Sequence, residues 1–147
     1  MSKADSASTQ NSKLKIKNSV EVSAALIFHH GKLIITQRRA DAHLGGLWEF
    51  PGGKRELDET SELCLVRELR EELGVEVEVG ELFEEISHAY AEKSVRLKFF
   101  TCKLISGKPQ PLDCAAFKWV EKSELADYEF PAADARLLDK LRAYSFP

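Results

Sequence analysis

Apolar and β-branched residues fill the stretch VEVSAALIF (20–28) and recur in KLIIT (32–36), on either side of His30, Gly31 and Lys32. Two such runs around turn residues predict a β-hairpin. Further on, VEVEVGELFEEISHAY (75–90) alternates at period two and reads as a strand. SVRLKFFTCKLI (94–105) reads as its antiparallel partner, and Gly107, Pro109 and Pro111 mark a turn after it. AAFKWVEKSEL (115–125) reads as a strand running into a short helix with Ser123 as N-cap. PAADARLLDKLRAY (131–144) begins at Pro131 and carries Leu137, Leu138 and Leu141, the stripe of a terminal amphipathic helix.

The middle of the chain holds a second helix signal. Thr60 or Ser61 is a natural N-cap, good helix formers follow to about Leu73, and Gly74 supplies the stop. Leu63, Val66, Leu69 and Leu73 are expected to pack on a sheet, with Glu68, Glu71 and Glu72 roughly opposite. Between hairpin and helix lies ADAHLGGLWEFPGGKRELDE (40–59), with four glycines and a proline. It reads as a long loop broken by a short extended piece at Leu47–Phe50, and loops of that length in a compact domain usually carry function. There is no repeat and no internal linker. The expectation is one α+β domain over residues 19–147, a mixed β-sheet flanked by two main helices, after a polar, Ser-rich tail at 1–18 read as flexible.

Composition narrows the partners. A net charge of −3 offers no broad basic surface, so polymeric nucleic acid is not expected. No run of about 18 apolar residues is present, so no membrane span is expected, and the first residues lack the apolar core of a secretory signal. Cys64, Cys102 and Cys114 are odd in number and form no CxxC pair, which suits reduced thiols and a cytoplasmic location.

The helix poses a chemical question. Glu68 is followed by Glu71 and Glu72, so three carboxylates crowd together at helical spacing. Like charges so placed are destabilising unless something offsets them. Gly52 and Gly53 lie just ahead and let backbone approach a ligand closely. Carboxylates beside an accessible carbonyl make a hard-oxygen site for Mg²⁺ or Mn²⁺, whose remaining ligands a triphosphate could supply.

The ordered set Gly53, Glu59, Arg67, Glu68, Leu69, Glu71, Glu72, Gly74 and Val75 resembles the Nudix box in full. ITQRRADAHLGGLWEFPGGK (35–54) and FPAADARLLDKL (130–141) are similar to the MutT-like subgroup. The resemblance spans about Val20 to Leu141. It implies an α/β/α Nudix sandwich that hydrolyses nucleoside triphosphates to monophosphate and pyrophosphate with Mg²⁺, or Mn²⁺. That chemistry needs positioning and cations more than covalent catalysis.

The resemblance also implies roles. Glu68, Glu71 and Glu72 become metal ligands together with the Gly52 carbonyl, and one carboxylate orients or deprotonates water. Arg67 holds the acids in place, and Glu59 is a structural partner. Asp113 falls where the subgroup has a further acidic residue, often Glu, and is a candidate metal ligand directly or through water. Arg38 is a candidate for the α-phosphate, Lys93 and Asp134 are candidates for the base, and Phe50 is a further candidate for substrate binding. His29, His30 and His43 read as turn or loop residues, and Trp48 and Trp119 as core anchors.

Asp134 departs from the pattern, since 8-oxo-dGTP hydrolases of this kind often carry Asn there. An ionised Asp only accepts, which suits cytosine N4; a protonated Asp can donate to guanine O6. The expected substrate is 8-oxo-dGTP, with CTP, dCTP or 5-methyl-dCTP as the alternative. An RNA 5′ pyrophosphohydrolase and a non-catalytic nucleotide-binding Nudix domain are the rival classes. A monomer or homodimer is expected.

Overall fold

The computed structural model describes residues 19–147, so the tail at 1–18 lies outside the described residues. Seven strands form the sheet: β1 (Ser19–His29), β2 (Lys32–Gln37), β3 (Trp48–Glu49), β4 (Gly52–Lys54), β5 (Glu76–Ala89), β6 (Ser94–Ser106) and β7 (Ala116–Val120). Helix α1 spans Ser61–Leu73, and helix α2 spans Ala135–Arg142. Two 3₁₀ segments, Lys122–Asp127 and Ala132–Asp134, connect β7 to α2.

The hairpin turn is tighter than expected. His30 and Gly31 both have positive φ, at 51° and 76°, and Lys32 already opens β2. Two successive positive φ values suit a two-residue connection. The strands then diverge, because only Phe28–Leu33 and His29–Lys32 pair. From Leu33 to Gln37, β2 pairs antiparallel with β7, and it also pairs with β3. The rest of β1 runs parallel to β6 from Ser19–Ser94 to Ile27–Cys102. β5 and β6 pair antiparallel with irregularities between Val79 and Glu84.

Alternation assigns the two faces of the sheet. Leu26, Phe28, Leu33 and Ile35 join Leu137 and Leu141 of α2 in one core cluster. Ala25, Ile27 and Ile34 join Leu65, Leu69 and Leu73 of α1 in the other. Each fully buried leucine contributes about 1.5–3 kcal/mol relative to exposure. The sheet is therefore sandwiched, and the expected α+β arrangement holds.

Four local expectations need correction. Leu63 is 60% exposed, while Ser61, Cys64, Leu65 and Glu72 are buried. The buried face of α1 is thus rotated toward its glutamates, because β4 packs against the helix there as well as the sheet. The short helix after β7 is capped at Glu121, whose amide donates to Glu124 Oε1 at 2.7 Å, and not at Ser123. The terminal helix begins at Ala135 and not at Pro131, since residues 132–134 form a 3₁₀ turn. The long loop is broken twice, by β3 and by β4, and so is less irregular than its glycines suggested.

Candidate active site

Helix α1 starts where Thr60 accepts a hydrogen bond from the Leu63 amide at 3.1 Å. It stops at Gly74, whose φ of 69° lets its amide bond back to the last turn. These ends fix the rotation of the helix and aim Glu68 and Glu72 at β4. β4 pairs antiparallel with β1, matching Val22–Lys54, Ser23–Gly53 and Ala24–Gly52. A side chain at either glycine would have to displace what it meets. A Cβ on Gly52 would lie 2.0 Å from the Ser23 carbonyl oxygen, and one on Gly53 would lie 2.3 Å from the Glu68 carboxyl carbon.

The glutamates differ in surroundings. Glu72 is 7% exposed and accepts a hydrogen bond from the Gly52 amide at 3.1 Å. Burial pushes its carboxyl up to about 8, helped by the negative charge of Glu49 and opposed by the Gly52 bond. Burial also raises Glu68, against the pull of Arg67. Glu71 is mostly exposed and bonded to Arg67 at 3.2 Å.

Arg67 is the hub of the box. It grips both oxygens of Glu59, at 2.7 and 3.0 Å, and donates to Glu68 at 3.0 Å and to the Lys54 carbonyl at 3.1 Å. Its hydrogen bonds hold the Glu59 carboxyl down at about 2.

A cleft of about 910 Å³ opens on the other side of β4. Val20, Val22 and Ala24 of β1 lie in register with Val95, Leu97 and Phe99 of β6, and all six line it. Gly52 and Gly53 border it at one side, and Asp134, Ala133 and Pro131 border it elsewhere. Phe50 is buried in its wall, stacked on Phe130 with centroids 5.3 Å apart and edge-on to Phe99. Lys93, Tyr90 and Glu92, from the β5–β6 turn, overhang the cleft, and His43 and Leu44 line it from the loop after β2.

Asp134 is 6% exposed, and burial, with the nearby charge of Glu49, pushes its carboxyl up to about 7. Arg38 lines the cleft but is engaged, donating to Glu49 Oε1 at 2.8 Å and to the His43 carbonyl at 2.6 Å. Asp113 is largely exposed, with Arg39 at 3.6 Å, and its amide bonds to the Glu72 carbonyl. Its carboxylate influences Glu72 only through its charge. Trp48 packs edge-on to Tyr128 and Trp119 packs over the α1-side core, so both are anchors. His29 and His30 meet ring to ring at the hairpin, away from the cleft.

Glu49 was not among the residues singled out in the sequence. It lines the cleft, binds Arg38, and raises both Glu72 and Asp134 by its charge, while burial raises Glu49 itself. The signal was a single acid between the aromatic residues Trp48 and Phe50.

Among the described residues, no three carboxylates, thiols or imidazoles are grouped closely enough to hold an ion alone. What stands ready is a buried carboxylate with one hydrogen-bond donor, Glu72, and a second, Glu68, against two glycines. All candidate donors are oxygens. This fits a hard cation that keeps water and takes phosphate oxygens, as Mg²⁺ does, better than a fully protein-built cage.

A family model described as NUDIX domain matches residues 23–140. The chain belongs to the Nudix family. It is 38% identical to a CTP pyrophosphohydrolase of Escherichia coli over 124 residues, covering 84% of this chain and 92% of the relative. It is 34% identical to the 8-oxo-dGTP diphosphatase of the same organism over 113 residues, covering 77% and 88%. Among solved structures it is similar to a MutT described from Aliivibrio salmonicida and Vibrio cholerae, with a TM-score of 0.72 and 30% identity, covering 85% of this chain and 97% of that one. The expected Nudix fold and MutT-like resemblance are thereby borne out, and the chain is a hydrolase of this family. Nudix hydrolases generally use divalent metal ions.

Proposed function

We propose that this Nudix hydrolase cleaves a nucleoside triphosphate to the monophosphate and pyrophosphate with Mg²⁺, or Mn²⁺, and that 8-oxo-dGTP is its preferred substrate. The observation that carries the reading is one cleft bordered by Gly52 and Gly53, at the start of the box, and by the buried acid Asp134. A nucleotide laid along it puts its phosphates at the Gly52–Gly53 edge, the strand on which Glu68 and Glu72 close from α1, and its base beside Asp134.

The residues then divide the work. Glu68 and Glu72 hold the cation, with the Gly52 carbonyl the third candidate ligand. When bound, the cation neutralises charge developing on the phosphate oxygens. Arg67 keeps Glu68 oriented, and Glu71 shares Arg67 at the exposed edge. A carboxylate raised by burial, such as Glu68 or Glu72, is a candidate to orient or deprotonate the attacking water. Lys93 and Arg38, which line the cleft, would meet the nucleotide, and Phe50, stacked on Phe130, forms part of the wall. Asp113 supports the site as a nearby negative charge.

Asp134 distinguishes the substrates. With its carboxyl near 7 it is protonated in a large fraction of molecules and donates to an oxidised guanine edge. The ionised fraction only accepts, which favours the exocyclic amino group of cytosine, and the relative named CTP pyrophosphohydrolase supports that second reading.

The test is a kcat/KM comparison across 8-oxo-dGTP, dGTP, CTP, dCTP, 5-methyl-dCTP, dATP and a triphosphorylated RNA, with the leaving group identified. Selective release of pyrophosphate from 8-oxo-dGTP is the expected result. Selective turnover of cytosine nucleotides would replace the first reading by the second. No turnover of any nucleotide would refute both.

A further inference from the structure

We infer that Glu21, on β1 and outside the Nudix box, is a positioning residue for the cation-binding glutamates, acting through Arg55 and Glu59. The inference rests on the reading of Glu68 and Glu72 as cation ligands.

The side chain of Glu21 belongs to the face of β1 that carries Ser23, Ala25 and Ile27, the face covered by α1. Its carboxylate has three partners, from β6, α1 and the segment after β4. Lys98 Nζ of β6 lies 3.1 Å from Oε1, and Ser61 Oγ, at the first residue of α1, donates to the same oxygen at 3.2 Å. Arg55 Nη2, just past β4, donates to Oε2 at 3.2 Å, and the Arg55 amide donates to the Glu21 carbonyl at 2.9 Å.

Arg55 extends the contact into the box. Its Nη1 donates to the Glu59 carbonyl at 3.0 Å. The Glu59 carboxylate is the one gripped by Arg67, which in turn holds Glu68. A continuous hydrogen-bonded path therefore runs Glu21, Arg55, Glu59, Arg67, Glu68, entering Glu59 at its peptide carbonyl and leaving by its carboxylate. It crosses the segment 55–60, which joins the glycines of β4 to the N-terminus of α1. That segment has no strand of its own to fix it.

The charge of Glu21 is what permits this arrangement. Lys98 and Arg55 are both partly buried, with side chains 23% and 32% exposed, and both converge on Glu21. Without the carboxylate two cations confront each other at short range, where solvent screens them incompletely. Arg55 is the one that can swing away with its segment, because Lys98 is set in the middle of β6 between two paired strands. Its departure frees the Glu59 carbonyl and loosens the base on which Arg67 and Glu68 are aligned. Lys98 neutralises charge but has no contact with Glu59, so its loss leaves the path intact.

The experiment is direct Mn²⁺ titration of the full chain without nucleotide, reading free Mn²⁺ by electron paramagnetic resonance, alongside the thermal midpoint of each variant. Glu21→Gln and Arg55→Met should weaken Mn²⁺ binding roughly threefold to tenfold, below the 10–100-fold of partners that touch a metal ligand directly. Lys98→Met should leave it within about twofold, and Glu21→Asp should recover part of the loss. Turnover of Glu21→Gln at saturating Mg²⁺ should return near the parent value, since alignment and not chemistry is lost. Glu21→Gln and Arg55→Met proteins that melt earlier yet bind Mn²⁺ like the parent would overturn the inference. So would an equal loss in all three variants, which indicates general loosening. Glu68→Gln or Glu72→Gln binding Mn²⁺ like the parent would instead remove the underlying reading of the ligands, a separate result.

Discussion

The Gly52 amide donates to the Glu72 carboxylate at 3.1 Å, across 20 residues of sequence. This bond ties the glycine strand to the acidic helix. Among the described residues it is the one donor to the Glu72 carboxylate, at a site 7% exposed. A buried carboxylate so sparsely satisfied costs free energy in the metal-free fold, which a bound cation can recover.

Glu72→Gln should therefore separate stability from activity. The Glu72 carboxyl sits near 8 in the fold, above its ordinary 4.5, so the proton is held more tightly in the folded chain. Its contribution to stability is complete below about pH 4.5 and is lost as pH rises through about 8. In chelator the parent's thermal midpoint should fall over that window, and the Gln variant's should fall less. Turnover of the variant should drop roughly 10²-fold or more, the scale of losing one preorganised charge-stabilising group. Identical melting profiles against pH would exclude Glu72 as the source.

The two glycines of β4 should fail in different ways. Gly52→Ala meets backbone at 2.0 Å, so the strand pairing itself must shift, at a cost of roughly 1–3 kcal/mol in urea unfolding. Gly53→Ala meets first the end of the Glu68 side chain, which can move. Its stability should stay close to the parent's while the Mg²⁺ needed for half-maximal turnover rises. Equal destabilisation of both variants would contradict the geometry.

Asp134→Asn replaces a group that titrates near 7 by one that both donates and accepts at every pH. In the parent, the ratio of 8-oxo-dGTP to CTP turnover should fall as pH rises from 6 to about 8, as the donor form disappears. The Asn variant should lose that slope and favour 8-oxo-dGTP by roughly 10–100-fold more than the parent at high pH, the worth of one good base contact. A parallel pH slope in both proteins would remove Asp134 as the base reader.

The thiols should be inert in the native state. Burial pushes Cys64 and Cys114 up to about 11 and Cys102 up to about 12, so almost no thiolate exists near neutrality. A colorimetric disulfide reagent should titrate all three only after denaturation. Rapid native reaction of any one would show that its cover opens.

Much of this protein is written in short windows of its sequence. Thr60 and Gly74 bound α1 because a cap and a left-handed stop act within one helical turn. The alternation of residues 75–90 points to β5 because period two is a local property of strands, and the apolar, β-branched run at 94–105 points to β6. The Nudix box is likewise legible, since its spacing lies within 23 consecutive residues. Tertiary structure alone decided the rest. Leu63 is exposed and Glu72 buried because β4 docks on α1, and no window containing only the helix carries β4. Arg38 is bound to Glu49, and Glu49 biases Glu72 and Asp134, through proximities that join the loop after β2, β3, α1 and the segment before α2. Charge acts through space and solvent exclusion, and both exist only once distant segments have packed.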